Sequence, residues 1–459
     1  MDILALDLGT SSARGLVLDA DAVPRPGALA RRKVHLATGD DGTGTLDGPG
    51  YLACLVECLD ELAAGGHLGQ VGLVATSAQW HSVLPLAADG TPSGAVLTWL
   101  DTRPAPPAGV GPADPDDYHR RTGTWWHRSY WPVRLPWLAE RGGDSGARYA
   151  GLAEYVLGAL LDDAPMSISL ASGTGLLDLR RLDWDAEACA LAGVRPEGLP
   201  RLAPQGWHGR LKPEHAKRWP QLAGARWAAP VGDGAASNVG SGCVDESRAA
   251  ITVGTSAAVR MIQAVPAGAA LPPLSDQLWR YRVDHEHVVT GAAYASGGNL
   301  FAWAGRELRL PKGAELEAAL HRAAAGRTVR ADPRFGGDRP PGTAPAGSGE
   351  LRGLSFGTTA VDILVGLMGG LCRLVADDLA LLEAGVGDPM EVVLGGGALT
   401  ASPWWRAAFA DVLVPRTVRW QRNPEIGATG AALVALGRVR QAADIGGVGP
   451  TDSPAAPEA

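Results

Sequence analysis

Cysteine is scarce in this chain, with five in 459 residues. Cys54 and Cys58 stand one helical turn apart and the other three are scattered, so no disulfide framework is expected and a reducing, cytoplasmic setting fits best. Lysine is nearly as scarce: only Lys33, Lys212, Lys217 and Lys312 among 41 basic residues. The formal net charge of −8 and the lack of any basic block argue against a nucleic-acid partner. No run of 18 apolar residues occurs. The longest apolar stretch, 361–382, is broken by Asp362, Arg373, Asp377 and Asp378, so it reads as a packed helix and no membrane partner is expected. Asp2 and Asp7 lie where an export signal would need a cationic start and an apolar stretch. The pattern GxxxxGK[ST] is absent as well, which excludes a nucleotide loop of that type.

What is present reads as a globular enzyme of two or three domains, with 46% apolar and 20% charged residues. The stretch ALDLGTSSARGLVL runs an apolar strand into Asp7, a polar turn and a second apolar strand. ITVGTSAAVRMI, 251–262, repeats the scheme around Gly254, Thr255 and Ser256. Strands are expected over 3–8, 15–19, 31–37 and 71–79, and helices near 50–64, 133–141, 149–162, 299–308, 359–384, 402–413 and 427–438. The pattern starts again near residue 230. That predicts duplication of one α/β unit, with domains 1–229 and 230–440, a ligand cleft between them and a flexible tail over 441–459.

A turn of glycine and hydroxyl residues offers backbone N–H and side-chain O–H groups to an anion. Gly9, Thr10, Ser11 and Ser12 in one half, and Gly254, Thr255 and Ser256 in the other, are therefore candidates to grip a polyphosphate from two sides. Arg14 would neutralise its charge. Asp7, at a strand end, is placed to hold Mg²⁺ directly or through water. The bland alternative for either turn alone is ordinary turn chemistry. Further on, Gln79, His81, Trp99, Asp101 and Arg103 cluster within TSAQWHSVLPLAADGTPSGAVLTWLDTR. Strand alternation would put Trp99, Asp101 and Arg103 on one face, an apolar ring with donors and acceptors for a polyhydroxylated ligand.

DLGTSSARGLVLD, the GDG of 232–234, VGTSAAVR and LGGGALTASPWWRAAFADVL resemble, in order, the phosphate, catalytic and adenosine motifs of the FGGY carbohydrate kinases. The resemblance runs from residue 1 to about 438. It implies an α/β fold of two duplicated actin-like (ribonuclease H-like) domains around a central catalytic cleft, with ATP and Mg²⁺ as cofactors. It makes Asp233 the catalytic base, which also contacts substrate; for an isolated Asp between glycines the alternative is a turn cap. Gly232 and Gly234 would let backbone and substrate approach closely. The resemblance places Gly396, Gly397 and Asn423 at the adenosine, and Gln79, His81, Trp99, Asp101 and Arg103 at the sugar. FGGDRPP, 335–341, resembles a family loop near the cleft, and Asn299 reads as a helix N-cap.

RTGTWWHRSYWPVRLPWLAE and SISLASGTGLLDLRRLDWD are similar to the gluconokinase branch, which implies gluconate as substrate. Arg14, His81, His127 and Arg128 are then candidate cations for its carboxylate. Core filling is the expected role of at least two of Trp125, Trp126 and Trp131. A kinase for a neutral ketose or polyol such as xylulose is the alternative within the family, and a non-catalytic actin-like nucleotide-binding protein the alternative outside it. The partner is a small sugar or sugar acid, and a homodimer is compatible with all of these features.

Overall fold

The computed structural model describes residues 1–141, 148–324, 329–337, 348–384, 390–442 and 448–450. Two mixed sheets carry the fold, and they share one plan. In the first, Pro24–Lys33, Ser12–Leu18 and Asp2–Leu8 form an antiparallel meander, and Val71–Ala78 and Arg226–Ala228 then extend it in parallel. In the second, His287–Tyr294, Ala257–Ala264 and Arg248–Val253 form the meander, and Glu391–Gly395 and Val418–Gln421 add in parallel. Each sheet ends in a short antiparallel edge strand, His208–Gly209 in one and Val448–Pro450 in the other. The duplication anticipated from the two hairpins is thus visible strand for strand.

Apolar residues at strand period fill the centre of each sheet. Ile3, Leu4 and Leu6 are completely buried in the first, as are Ile251 and Val253 in the second. Helix Gly48–Ala64 covers the first meander, started by the Asp47 side chain, which accepts from the Gly50 N–H. Helix Ala360–Glu383 covers the second. Thr359 and Asp362 close a reciprocal capping box at its start, and it buries Leu364, Leu367, Met368, Leu371 and Val375. No helix among the described residues is long and apolar enough to cross a membrane.

Several expectations need correcting. The strand expected at 31–37 is shifted back: the third meander strand is Pro24–Lys33. The segment 203–228, for which no element was expected, holds helix Pro213–Arg218 and strand Arg226–Ala228. Of the tail expected to be flexible from 441, residues 448–450 pair with Val418–Gln421, whose open edge offers unpaired backbone groups. Residues 443–447 and 451–459 lie outside the described residues, as does most of the FGGDRPP loop. Asn299 is not an N-cap: helix Gly298–Glu307 is capped at Gly297, and the Asn299 amide bonds Gly297 N–H and the Ala295 carbonyl.

The halves are interlocked. Val231–Gly232 pairs with Val71–Ala78, and helix Asp233–Gly240 packs in the first core, so a cut near 230 falls just before a first-sheet strand. Helix Ile426–Ala435 crosses Asp233–Gly240 with backbones touching. A Cβ on Gly240 would lie 1.9 Å from the Ile426 carbonyl oxygen, and one on Gly430 1.8 Å from that of Ala236. From the second half, strand Trp279–Arg282 reaches over the first. Arg280 N–H donates to the Gly123 carbonyl at 2.9 Å, and Arg282 N–H to Ser172 Oγ at 2.8 Å. The fully buried Arg282 guanidinium caps the Leu179 carbonyl.

One buried acid takes no part in the cleft. Glu154, in helix Leu152–Leu160, is buried with neither carboxylate oxygen bonded to another side chain. Burial pushes its carboxyl up to about 7. A folded-state value above the unfolded one means that its stabilising contribution is complete below the ordinary carboxylate range and is lost as pH rises through about 7. Glu154→Gln should therefore be more stable than the parent by about 1–3 kcal/mol at pH 8.5, with the gap closing by pH 5. Urea midpoints at the two pH values check this, and a gap independent of pH would refute it.

Candidate active site

Three parallel strand ends meet where the two halves face each other. Leu8 pairs with Ala78, and Ala78 with Gly232, so Asp7 and Asp233 arrive at the mouths of the two strands that flank Val71–Ala78. Ligands of open α/β sheets sit outside such carboxyl ends. Burial pushes Asp233 up to about 6, against the downward pull of Arg260, while the Asp7 charge raises it further. Asp7 is also raised by burial, and its ion pair with Arg14 pulls the other way. The Gly234 N–H donates to Asp233 Oδ1 at 2.7 Å, which fixes the carboxylate at the head of its helix.

The glycines around Asp233 do something other than admit substrate. A Cβ on Gly232 would lie 2.0 Å from the Trp80 indole, one on Gly234 2.6 Å from it, and one on Gly173 2.5 Å from it. The ring of Trp80 occupies the space that those three positions leave, and its Nε1 donates to the Ser169 carbonyl at 3.0 Å. It meets Tyr281 edge-on at 4.9 Å and Trp279 at 6.0 Å, both from the second half. Sequence reasoning passed over Trp80, although a bulky ring between Gln79 and His81 was a signal that small residues must stand elsewhere.

In the first hairpin the Gly9 N–H donates to the Ser12 carbonyl at 3.2 Å, and the Tyr51 hydroxyl donates to the Gly9 carbonyl at 2.9 Å. Ser11 is exposed and Ser12 buried. Trp99 Nε1 donates to the Thr10 hydroxyl at 3.0 Å, which in turn donates to Gln79 Oε1 at 3.3 Å. Gln79 is buried, yet its Nε2 has no protein partner among the described residues. Arg14 pairs with Asp7 and lies 3.6 Å from Glu425, with its own buried Nε unpartnered. Two orphaned donors at one cleft mouth are what an absent acceptor leaves behind.

The second hairpin is built against glycine backbone. Gly254 N–H donates to the Ser256 carbonyl at 2.9 Å, and Gly298 N–H to the Gly254 carbonyl at 2.7 Å. Thr255 offers its carbonyl to Asn299 N–H at 3.1 Å. Gly396 has φ +107°, and a Cβ there would lie 2.3 Å from the Val253 carbonyl oxygen; Gly397 then opens the short helix Gly397–Ala401. Asn423 follows strand Val418–Gln421, which lies beside Glu391–Gly395. Its amide bonds Thr429 Oγ1 at 3.1 Å and the Glu425 N–H at 2.8 Å, so it ties down the turn before helix Ile426–Ala435.

The sugar-side residues divide. His81 has φ +68°, rare for a residue with a side chain and frequent at functional sites, and its Nδ1 bonds the Gly173 carbonyl at 2.6 Å. Its ring faces Tyr130 and Tyr281 edge-on at 5.3 and 5.6 Å. The expected strand alternation over 99–103 fails, because the strand ends at Leu97. Thr98 and Asp101 instead bond the following backbone N–H groups of Leu100 and Arg103 and turn the chain. The Asp101 side chain is 0% exposed, with its carboxylate taken by the Gly44 N–H and by Arg103, whose guanidinium lies over Trp137. His127 Nδ1 bonds Ser129 at 3.1 Å, and Arg128 donates to the Thr102 carbonyl at 3.0 Å. Trp125 and Trp131 are buried, as core filling requires.

A residue that sequence reasoning left aside holds these pieces together. Arg134 is fully buried and donates to the carbonyls of Arg128, His81, Thr98 and Asp101, at 2.9, 2.7, 2.8 and 3.3 Å. One guanidinium thus anchors each sugar-side segment to its neighbours.

Family models for the N-terminal and the C-terminal domain of the FGGY family of carbohydrate kinases match residues 2–240 and 249–437. The gluconokinase of Bacillus licheniformis is 25% identical over 441 residues, 91% of this chain and 83% of that relative. The crystal structure of a gluconate kinase from Lactobacillus acidophilus superposes with a TM-score of 0.84 at 22% identity, covering 98% of this chain and 92% of the other. A xylulose kinase from the same organism superposes with a TM-score of 0.85 at 22% identity and the same coverage. Paired hydroxyl hairpins, two cleft carboxylates and a duplicated sheet find their place here: the chain belongs to the FGGY family of carbohydrate kinases and has their two-domain, actin-like fold.

Proposed function

We propose that this carbohydrate kinase transfers the γ-phosphoryl group of ATP to the terminal hydroxyl of a sugar acid, gluconate, giving 6-phosphogluconate. The observation that carries the reading is the arrival of Asp7 and Asp233 at the ends of the two strands flanking Val71–Ala78, close enough for their charges to interact, in a chain with two matched Gly-Thr-Ser hairpins. Asp233 accepts the proton of the substrate hydroxyl as that oxygen attacks the γ-phosphorus. Residues 9–12 and 254–256 bind the phosphates, and the purine lies along Gly396 and Gly397. The orphaned Gln79 Nε2 and Arg14 Nε at the cleft mouth fit an anionic ligand there. Asp7 suits Mg²⁺ arriving with the nucleotide, because that ion needs one or two carboxylates besides phosphate and water; it would supply neutralisation of phosphate charge.

On the sugar side, Gln79, His81, Trp99, Arg103, His127 and Asp233 are the proposed contacts, with Asp101 holding Arg103 in place. Asn423 acts by shaping its turn. The domains divide after helix Asp233–Gly240, later than the 229/230 boundary expected from the repeat, and the enzyme works in the cytoplasm as a homodimer. Gluconate is favoured by the gluconokinase relative and by the guanidinium and imidazole groups of Arg14, His81, His127 and Arg128 near the site. A neutral ketose such as xylulose is the second reading, favoured by the xylulose kinase neighbour. ADP release across a panel of sugar acids, ketoses and polyols separates them. A kcat/KM for gluconate at least about tenfold above that for xylulose is expected, and parity would defeat the acid-specific reading.

A further inference from the structure

Arg260 belongs to strand Ala257–Ala264 of the second half, yet its side chain crosses to the first. The strand register sets it opposite Gly291, where a Cβ would come 3.0 Å from Arg260 Cγ. Its guanidinium then lies beside Gly234: a Cβ there would stand 3.0 Å from Nε and 3.2 Å from Cζ. The long side chain thus passes close to a glycine of each half, sharing the space beside Gly234 with the Trp80 ring. Both Nε and Nη1 are buried, so the cation has little water to screen it where it meets the Asp233 segment.

We propose that Arg260 is a positioning residue for phosphoryl transfer, which holds the Asp233 carboxylate ionised and aimed into the cleft from across the domain boundary. The proposal rests on the reading of Asp233 as the base. A carboxylate accepts a proton only when ionised, and burial among Trp80, Gly232 and Gly234 works against ionisation. The charged groups that act most strongly on Asp233 are Arg260 and Asp7, the latter paired with Arg14, and the Gly234 and Trp80 N–H groups also favour its ionised form. Asp7 opposes ionisation and Arg260 favours it, while burial holds the carboxyl up near 6. The guanidinium therefore sets how much base exists at neutral pH. Because it comes from the other half, it also makes the strength of the base depend on how the halves sit.

The test is the pH profile of kcat/KM, whose acid limb reports the base in the free enzyme. Arg260→Met should move that limb up by about one unit or more, so that the loss relative to the parent is about tenfold or greater at pH 6 and shrinks as pH rises through 8. Arg260→Lys, which keeps the charge, should leave the limb near the parent position. If the Met protein does not fold, Arg260→Gln takes its place. A uniform loss at every pH with an unmoved limb overturns the proposal, since it would mean packing or direct phosphate contact. Asp233→Asn is measured alongside. An inactive Asn variant with an unmoved limb in Arg260→Met defeats this inference alone, whereas an active Asn variant defeats the base and the inference with it.

Discussion

Replacing Asp233 by Asn is expected to lower kcat by at least about a hundredfold while raising the thermal midpoint of the protein. The loss follows from chemistry: the amide cannot take a proton, and a positioned base contributes about 10²–10⁴-fold. The gain follows from burial. With its carboxyl up near 6, Asp233 stabilises the fold fully only below the ordinary carboxylate range, and that contribution is lost as pH rises through about 6. At pH 7.5 the ionised group costs about 1–3 kcal/mol, which Asn removes while keeping the side-chain volume. Steady-state ADP release and differential scanning calorimetry at pH 7.5 read the two effects. A tenfold loss or less would assign the proton to another residue, and a lower midpoint would show that the ionised form is welcome where it sits.

Arg134→Met should be the most destabilising of the substitutions considered, by about 3–5 kcal/mol. It removes a donor from four backbone carbonyls, of which those of His81 and Asp101 are buried and would be left unsatisfied while that of Thr98 keeps the Asp101 N–H, and each buried acceptor left unsatisfied is expensive. Three of the four belong to residues 81, 98 and 101, so the sugar side should loosen more than the nucleotide side. KM for the sugar is expected to rise at least about tenfold with little change in KM for ATP. Arg134→Lys keeps the charge but replaces the planar fork, and should fall between parent and Met in both measurements. Urea unfolding together with the two KM values checks this. Equal rises in both KM values would mean that Arg134 supports the fold generally and not the sugar segments.

The parts of this fold that a reader can extract from the sequence are the local ones. Both hairpins announce themselves because strand, turn residues and strand lie within fourteen positions, and their repetition gave away the duplication before any sheet was visible. Asp7 and Asp233 were legible for the same reason, each a lone acid at the end of an apolar stretch. The misreading at 99–103 is also local: the Thr98 hydroxyl and the Asp101 carboxylate satisfy the backbone within two residues, and a period-two pattern cannot reveal that competition. Trp80, Arg134 and Arg260 were hidden for a different reason. Apart from the Arg128 carbonyl beside Arg134, each acts on residues far away in the chain, or fills space that distant glycines vacate, and no short window of sequence contains both partners. The glycines of GDG were noticed, but what they make room for lies at position 80.

The crossing of helices Asp233–Gly240 and Ile426–Ala435 bears on how such a duplicated molecule can age. Once a stretch near the far end of the chain is seated on the first sheet with no room for a single methyl, and a strand from the middle is bound over the opposite shoulder, neither copy owns a complete set of its own walls. Drift in one copy must then be answered in the other. Two ancestral equals have become a single heritable unit, whose symmetry survives in the order of its strands while its autonomy does not.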